Sequence, residues 1–118
     1  MTATLRLEAA GPIARVTLNR PEVRNAFNDG VIAELTHAFE QLGTRDDLRA
    51  IVLAAEGKAF CAGADLNWMR AMADYSWDEN RADAGKLAEM LWTLDQCPVP
   101  IVGRIHGDCY AGGVGLAA

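Results

Sequence analysis

A chain of 118 residues, 51% apolar and 23% charged, has room for one domain with a hydrophobic core and too little for two ordinary ones. That apolar share excludes a disordered chain. The net charge of −5, with the arginines scattered, argues against nucleic acid as the main partner, because phosphate binding needs a concentrated basic excess.

No run approaches a membrane span, and Met1 to Arg6 lack the apolar core of a signal peptide, so the cytoplasm is the expected compartment and no membrane partner is expected. Cys61, Cys97 and Cys109 are an odd set without paired spacing. Neither a disulfide framework nor a metal site is suggested, and reduced thiols are the simpler expectation.

In chain order, Leu5 to Glu8 and Ala14 to Leu18 alternate apolar with polar residues around Gly11-Pro12, which predicts a half-solvated hairpin. Asn19 to Ala26 reads as a loop, kept out of helix at its start by Pro21. Asn28 is a plausible N-cap for an amphipathic helix carrying Val31, Ile32, Leu35, Ala38, Phe39 and Leu42, with Gly43 as its stop. Ala50 to Ala55 is an apolar run without alternation, expected to be a strand covered on both faces.

Lys58 to Asp65 then reads as a small-residue loop leading into a short helix, Leu66 to Met72. Ser76 and Glu79 are spaced as a capping box that opens a long helix ending at Cys97-Pro98. Val99 to Ile105 predicts a strand, with Pro100 near its start, and His106 to Ala111 a loop that delivers Gly112-Gly113-Val114-Gly115-Leu116-Ala117-Ala118. The chain is expected to be a fragment, since a helix of about one turn at its end is barely nucleated. No repeat or linker divides it, so residues 1–118 are read as one unit.

Two strand-to-helix junctions carry small residues, Ala62-Gly63-Ala64 and Ala111-Gly112-Gly113. If their strands are neighbours, the free backbone N–H groups of both junctions can converge on one oxygen. Paired N–H donors aimed at a carbonyl that gains negative charge form an oxyanion hole. The simpler reading of either junction alone is a tight turn that caps a helix.

The sequence resembles the crotonase superfamily, the enoyl-CoA hydratase/isomerase family, over essentially its whole length. The markers are Leu18-Asn19-Arg20-Pro21 with Arg24-Asn25-Ala26, then Lys58-Ala59-Phe60-Cys61-Ala62-Gly63-Ala64-Asp65-Leu66, then Pro100-Ile101-Val102 leading through Gly107 to Ala111-Gly112-Gly113-Val114-Gly115-Leu116. The resemblance implies an α/β spiral of ββα units, represented here by its N-terminal part, that binds an acyl-coenzyme A thioester. Coenzyme A belongs to the substrate, and no separate cofactor is implied.

The resemblance also assigns residues. The backbone N–H groups of Ala64 and Gly112 would hold the thioester carbonyl. Ala62, Asp65, Leu66 and Asn67 would border coenzyme A, with Arg24 as the best cation for its phosphates. Many hydratases of this family carry a glutamate where this chain has Gly115, and a second acid would fall beyond Ala118, so the usual carboxylate pair is missing. Some branches carry glycine at the first place. Gly63 to Arg70 resembles the branch of methylglutaconyl-CoA and isohexenylglutaconyl-CoA hydratases, which act on branched, carboxylated acyl chains. Relatives are usually trimers or dimers of trimers.

Other candidates have structural readings beside the functional ones. Asp65 is a natural N-cap. Trp68, Met69 and Met72 could line an acyl pocket or belong to the core, and His106 could serve catalysis or only its loop. Cys61 and Cys109 lack the base and electropositive setting of a nucleophile. His37 sits on the polar face of the first helix, and Asp74, Asp78, Glu79, Asp83 and Glu89 read as solvated charges. Gly113 to Ala118 also fits G-x-G-x-x-A, a dinucleotide fingerprint, although the loop from His106 separates it from its strand. A crotonase-like protein that binds acyl-CoA without turnover is the other alternative.

Overall fold

The computed structural model describes residues 4–118. Met1 to Ala3, part of the N-terminal stretch considered above, lie outside the described residues. The hairpin forms as expected: β1 (Leu5–Ala10) and β2 (Ile13–Leu18) pair antiparallel from Leu5↔Leu18 to Ala10↔Ile13. Gly11, at φ +61°, supplies the left-handed step of the two-residue turn.

The helix α1 (Asp29–Gly43) follows, with the Asn28 side chain accepting the Val31 N–H at 3.0 Å. Its stripe of Val31, Ile32, Leu35, Ala38 and Phe39 is buried against Val16, Leu18, Ile51 and Leu53. Gly43 is the last helical residue and not a left-handed cap; Thr44 ends the helix in the right-handed region. Glycine at 43 serves packing, since a Cβ there would lie 3.2 Å from Pro98 Cδ.

Strand β3 (Ala50–Ala55) pairs parallel with β2 and with β5 (Ile101–Gly103), giving the order β1-β2-β3-β5. Ile51 and Leu53 are fully buried while Val52 is only half-buried, so the expected cover on both faces is present on one and partial on the other. Strand β5 is shorter than the predicted 99–105. Its ladder closes where the Arg104 N–H donates to Leu53 O, and Ile105 is exposed.

The long connection from β3 to β5 holds β4 (Ala59–Cys61), α2 (Leu66–Met72) and α3 (Trp77–Asp95). The capping box at Ser76 and Glu79 is formed in both directions. A second, two-stranded sheet is absent from the expectations: β4 pairs parallel with β6 (Asp108–Cys109), bringing Cys61 opposite Cys109. Strands of three and two residues carry too little alternation to be legible in sequence. The chain closes with α4 (Gly112–Ala117).

Candidate functional site

The β4–β6 pairing builds the site, because the two small-residue junctions follow directly on these strands. Three backbone segments run side by side here, residues 24–27, 59–65 and 108–113. On one side the Ala62 N–H donates to Arg24 O, the Phe27 N–H to Gly63 O at 2.8 Å and the Asp65 N–H to Phe27 O at 2.8 Å. On the other, the Tyr110 N–H donates to Cys61 O at 3.2 Å.

The Phe27–Ala64 bridge is parallel and consumes the groups on either side of Ala64. Backbone alternation therefore turns the Ala64 N–H away from Phe27, toward the side on which residues 110–113 lie. Gly112 is the first residue of α4, where a helix leaves its N–H unsatisfied. Among the described residues, neither the Ala64 nor the Gly112 N–H donates to another protein group.

The junctions touch. A Cβ at Gly63 would stand 2.9 Å from both Gly112 N and Ala111 Cβ, and Gly63 itself is at φ +91°. A Cβ at Gly113 would lie 2.4 Å from Cys61 O, so the main chains meet there without an intervening side chain. The glycine at 113 thus serves the close packing of the start of α4 on β4. Gly115, by contrast, faces open space.

Next to the junctions lies an open cleft of about 640 Å³ whose walls include Arg24, Ala62, Ala64, Asp65, Leu66 and Asn67. The structure therefore brings together all five residues expected to border coenzyme A, with one of the two expected donors. Gly112 stands beside it, at the start of α4. Glu22, Val23, Ala26, Arg70 and Tyr110 complete the lining. Arg70 and Tyr110 were not anticipated; Arg70 follows from helical spacing, one turn after Asn67 on α2, while Tyr110 reaches the cleft only through the β6 pairing.

Asp65 has its carboxylate fully engaged. Oδ1 accepts the Asn67 and Trp68 N–H groups at 2.7 and 3.1 Å, capping α2, and Oδ2 receives Arg20 at 3.0 Å. Burial alone would raise its pKa, but the Trp68 N–H, the Arg20 guanidinium and the Asn67 N–H together hold it below its ordinary 3.8. The capping reading is the one its geometry bears out.

Trp68 is buried and its Nε1–H donates to Asp83 Oδ2 at 3.2 Å, so it belongs to the core and Asp83 is not merely solvated. Met69 is half exposed and stands outside the cleft lining. His106 Nε2 lies 2.6 Å from Gly57 O, a loop-fastening role. Burial pushes the Cys61 thiol up from its usual 9.0, against a weaker opposing effect of the Gly63 N–H, which makes it a poor nucleophile. Among the described residues, no group of three or more His, Cys, Asp and Glu is placed to hold a metal ion.

Comparison with known proteins places the chain in a family. The enoyl-CoA hydratase/isomerase family profile matches residues 8–118. A Mycobacterium tuberculosis protein named "Probable enoyl-CoA hydratase echA6" is 40% identical over 108 residues, covering 92% of this chain and 41% of the relative. The mitochondrial Delta(3,5)-Delta(2,4)-dienoyl-CoA isomerase of Mus musculus is 35% identical, covering 90% of this chain and 35% of its own. The crystal structure of an enoyl-CoA hydratase from Shewanella pealeana superposes with a TM-score of 0.92 at 35% identity, over 96% of this chain and 43% of that one. The chain thus spans less than half the length of the relatives it matches. Its fold is the mixed α/β architecture of these structures, and the chain belongs to the enoyl-CoA hydratase/isomerase family.

Proposed function

We propose that the protein binds an acyl-CoA thioester in the cleft beside α2 and polarises its carbonyl with the Ala64 and Gly112 N–H groups. The observation that carries this reading is the meeting of two small-residue junctions with two undonated backbone N–H groups. Donors fixed before the reaction stabilise the enolate oxygen that develops when water adds at C3 or when C2 loses a proton. Arg24, exposed at the cleft wall, is the cation for the coenzyme A phosphates, and Ala62, Asp65, Leu66 and Asn67 border the coenzyme with main chain and apolar surface.

Hydration of an α,β-unsaturated acyl-CoA is the reaction we favour, with a branched, carboxylated chain as the finer substrate class. The coenzyme enters as part of the substrate. A cytoplasmic setting and a trimer or hexamer of the full-length protein go with this reading. A second reading, acyl-CoA binding without turnover, is favoured by Gly115, which offers no proton-transfer group at the place where many relatives carry a glutamate.

Calorimetric titration separates these from any unrelated role. A 2-enoyl-CoA is expected to bind more tightly than its thioether analogue, which lacks the carbonyl oxygen, and a nicotinamide dinucleotide is not expected to bind. Equal affinity for thioester and thioether would contradict the proposed hole. In the full-length protein, Gly112→Pro removes a donor and is expected to lower turnover by roughly 10²–10³. An undiminished rate in the folded variant would contradict the assignment.

A further inference from the structure

The Arg20 side chain does more than pair with Asp65. Arg20 stands outside the cleft lining, yet its guanidinium forks across the two segments that frame Ala64: one arm donates to Ala26 O at 2.6 Å and the other to Asp65 Oδ2 at 3.0 Å. Residues 26 and 65 are the immediate neighbours of the bridged pair Phe27 and Ala64. The rest of Arg20 is tied into the same loop. Its N–H donates to Asn25 Oδ1 at 2.8 Å and its carbonyl accepts the Asn25 N–H at 2.9 Å, while Asn25 Nδ2 donates to Glu56 O and Ala59 O. The loop is conformationally costly, since Arg24 and Asn25 both have positive φ, 54° and 57°.

Resting on the oxyanion reading above, we propose that Arg20 is a positioning residue for the Ala64 donor: through Ala26 and Asp65 it fixes the distance between residues 24–27 and 62–65, and so the direction of the Ala64 N–H. Net stability does not explain the ion pair. Its side chains are only 18% and 8% exposed, and the desolvation of two such charges largely offsets their attraction. A planar fork with two fixed arms does specify geometry, which a lysine's single point charge cannot do. An oxyanion donor is the kind of group for which a small misplacement matters, because its stabilisation depends on pointing at where charge develops.

The test uses the purified protein and a 2,4-dienoyl-CoA, whose absorption band moves to longer wavelength when its carbonyl is polarised. Wild type is expected to show the red shift on saturation. Arg20→Gln is expected to lose about half or more of the shift, while affinity for the thioether analogue changes less than about twofold; Asp65→Asn, which keeps a side-chain oxygen to cap α2, is expected to lose a comparable share of the shift. Arg20→Lys is expected to restore less than half of what Arg20→Gln loses.

The outcomes separate cleanly. If wild type binds the dienoyl-CoA without a red shift, the oxyanion reading itself fails. If wild type shifts and both folded variants shift equally, the positioning role is overturned while the oxyanion reading stands. Equal weakening of thioester and thioether binding, with the shift retained at saturation, would assign Arg20 a purely structural role and also overturn the proposal. Should Arg20→Gln not fold, Asp65→Asn and Arg20→Lys carry the same comparison.

Discussion

Gly63 joins the strand β4 to the Ala64 donor at φ +91°, and any side chain there would strike Gly112 N and Ala111 Cβ at 2.9 Å. Gly63→Ala therefore combines a strained backbone with a contact that real structures do not tolerate, and is expected to cost about 1–3 kcal/mol in chemical denaturation. Stability within about 0.5 kcal/mol of wild type would show that the junctions are looser than described. Gly115 is the opposite case. With open space around it, Gly115→Glu is expected to fold normally, because helix propensity favours the change by about 0.5–1 kcal/mol.

Asp65 makes a pH prediction at the same scale. Its folded pKa lies below its unfolded value, so its contribution to stability is fully present above about pH 4 and is lost as pH falls through the folded value. Asp65→Asn should flatten the acid limb of the stability curve, read by denaturant melts between about pH 2 and 6. An unchanged acid limb would mean that the carboxylate is not held as described.

Among the α-helices, α3 has the smallest buried share: Met90 is its one wholly buried residue, with Leu87, Leu91 and Leu94 packed partly against the core. Its local signals must then contribute more than usual. The Ser76 hydroxyl accepts the Glu79 N–H and Glu79 accepts the Ser76 N–H, which holds the Glu79 carboxyl below its ordinary 4.5. Ser76→Ala is expected to cost about 0.5–2 kcal/mol and to speed amide exchange in the first turn of α3. Unaltered exchange there would contradict the cap.

The same element shows why some of the fold was legible in sequence. Cap and periodicity are local, so α1, α2 and α3 were readable with their ends nearly in place, Gly43 excepted. The β4–β6 pair was not readable, because its residues are joined by backbone bonds between positions nearly fifty apart and not by any local pattern. The site inherited this division. The two junctions, Ala62 to Ala64 and Ala111 to Gly113, show in sequence as small-residue runs, whereas the contact of Gly63 with Gly112, the reach of Tyr110 into the cleft and the fork of Arg20 exist only once β4 and β6 lie side by side.

On the scale of the molecule, the site is carried by the two-stranded β4–β6 sheet, and the four-stranded sheet with α1 holds most of the core. A second hollow of about 520 Å³, walled by Leu53, Leu91, Leu94, Val99, Ile101 and Leu116, opens near Gly115. Val102, Ile105 and Val114 are exposed. Among the described residues, no helix is long and apolar enough to cross a membrane. Glu22 and Asp65 are the carboxylates along the cleft, and both Asp65 oxygens are already engaged. The 118-residue chain is accordingly expected to polarise a bound thioester without hydrating it, so that carbonyl activation and turnover can be measured apart.

The most direct measurement is the carbonyl stretching frequency of an isotopically labelled enoyl-CoA bound to the protein, recorded as an infrared difference spectrum. Two converging N–H donors predict a bound band at lower frequency than in water, returned toward the aqueous position by Gly112→Pro. A bound carbonyl with the same frequency as in water, in protein shown by calorimetry to be saturated, would contradict the claim that Ala64 and Gly112 form an oxyanion hole.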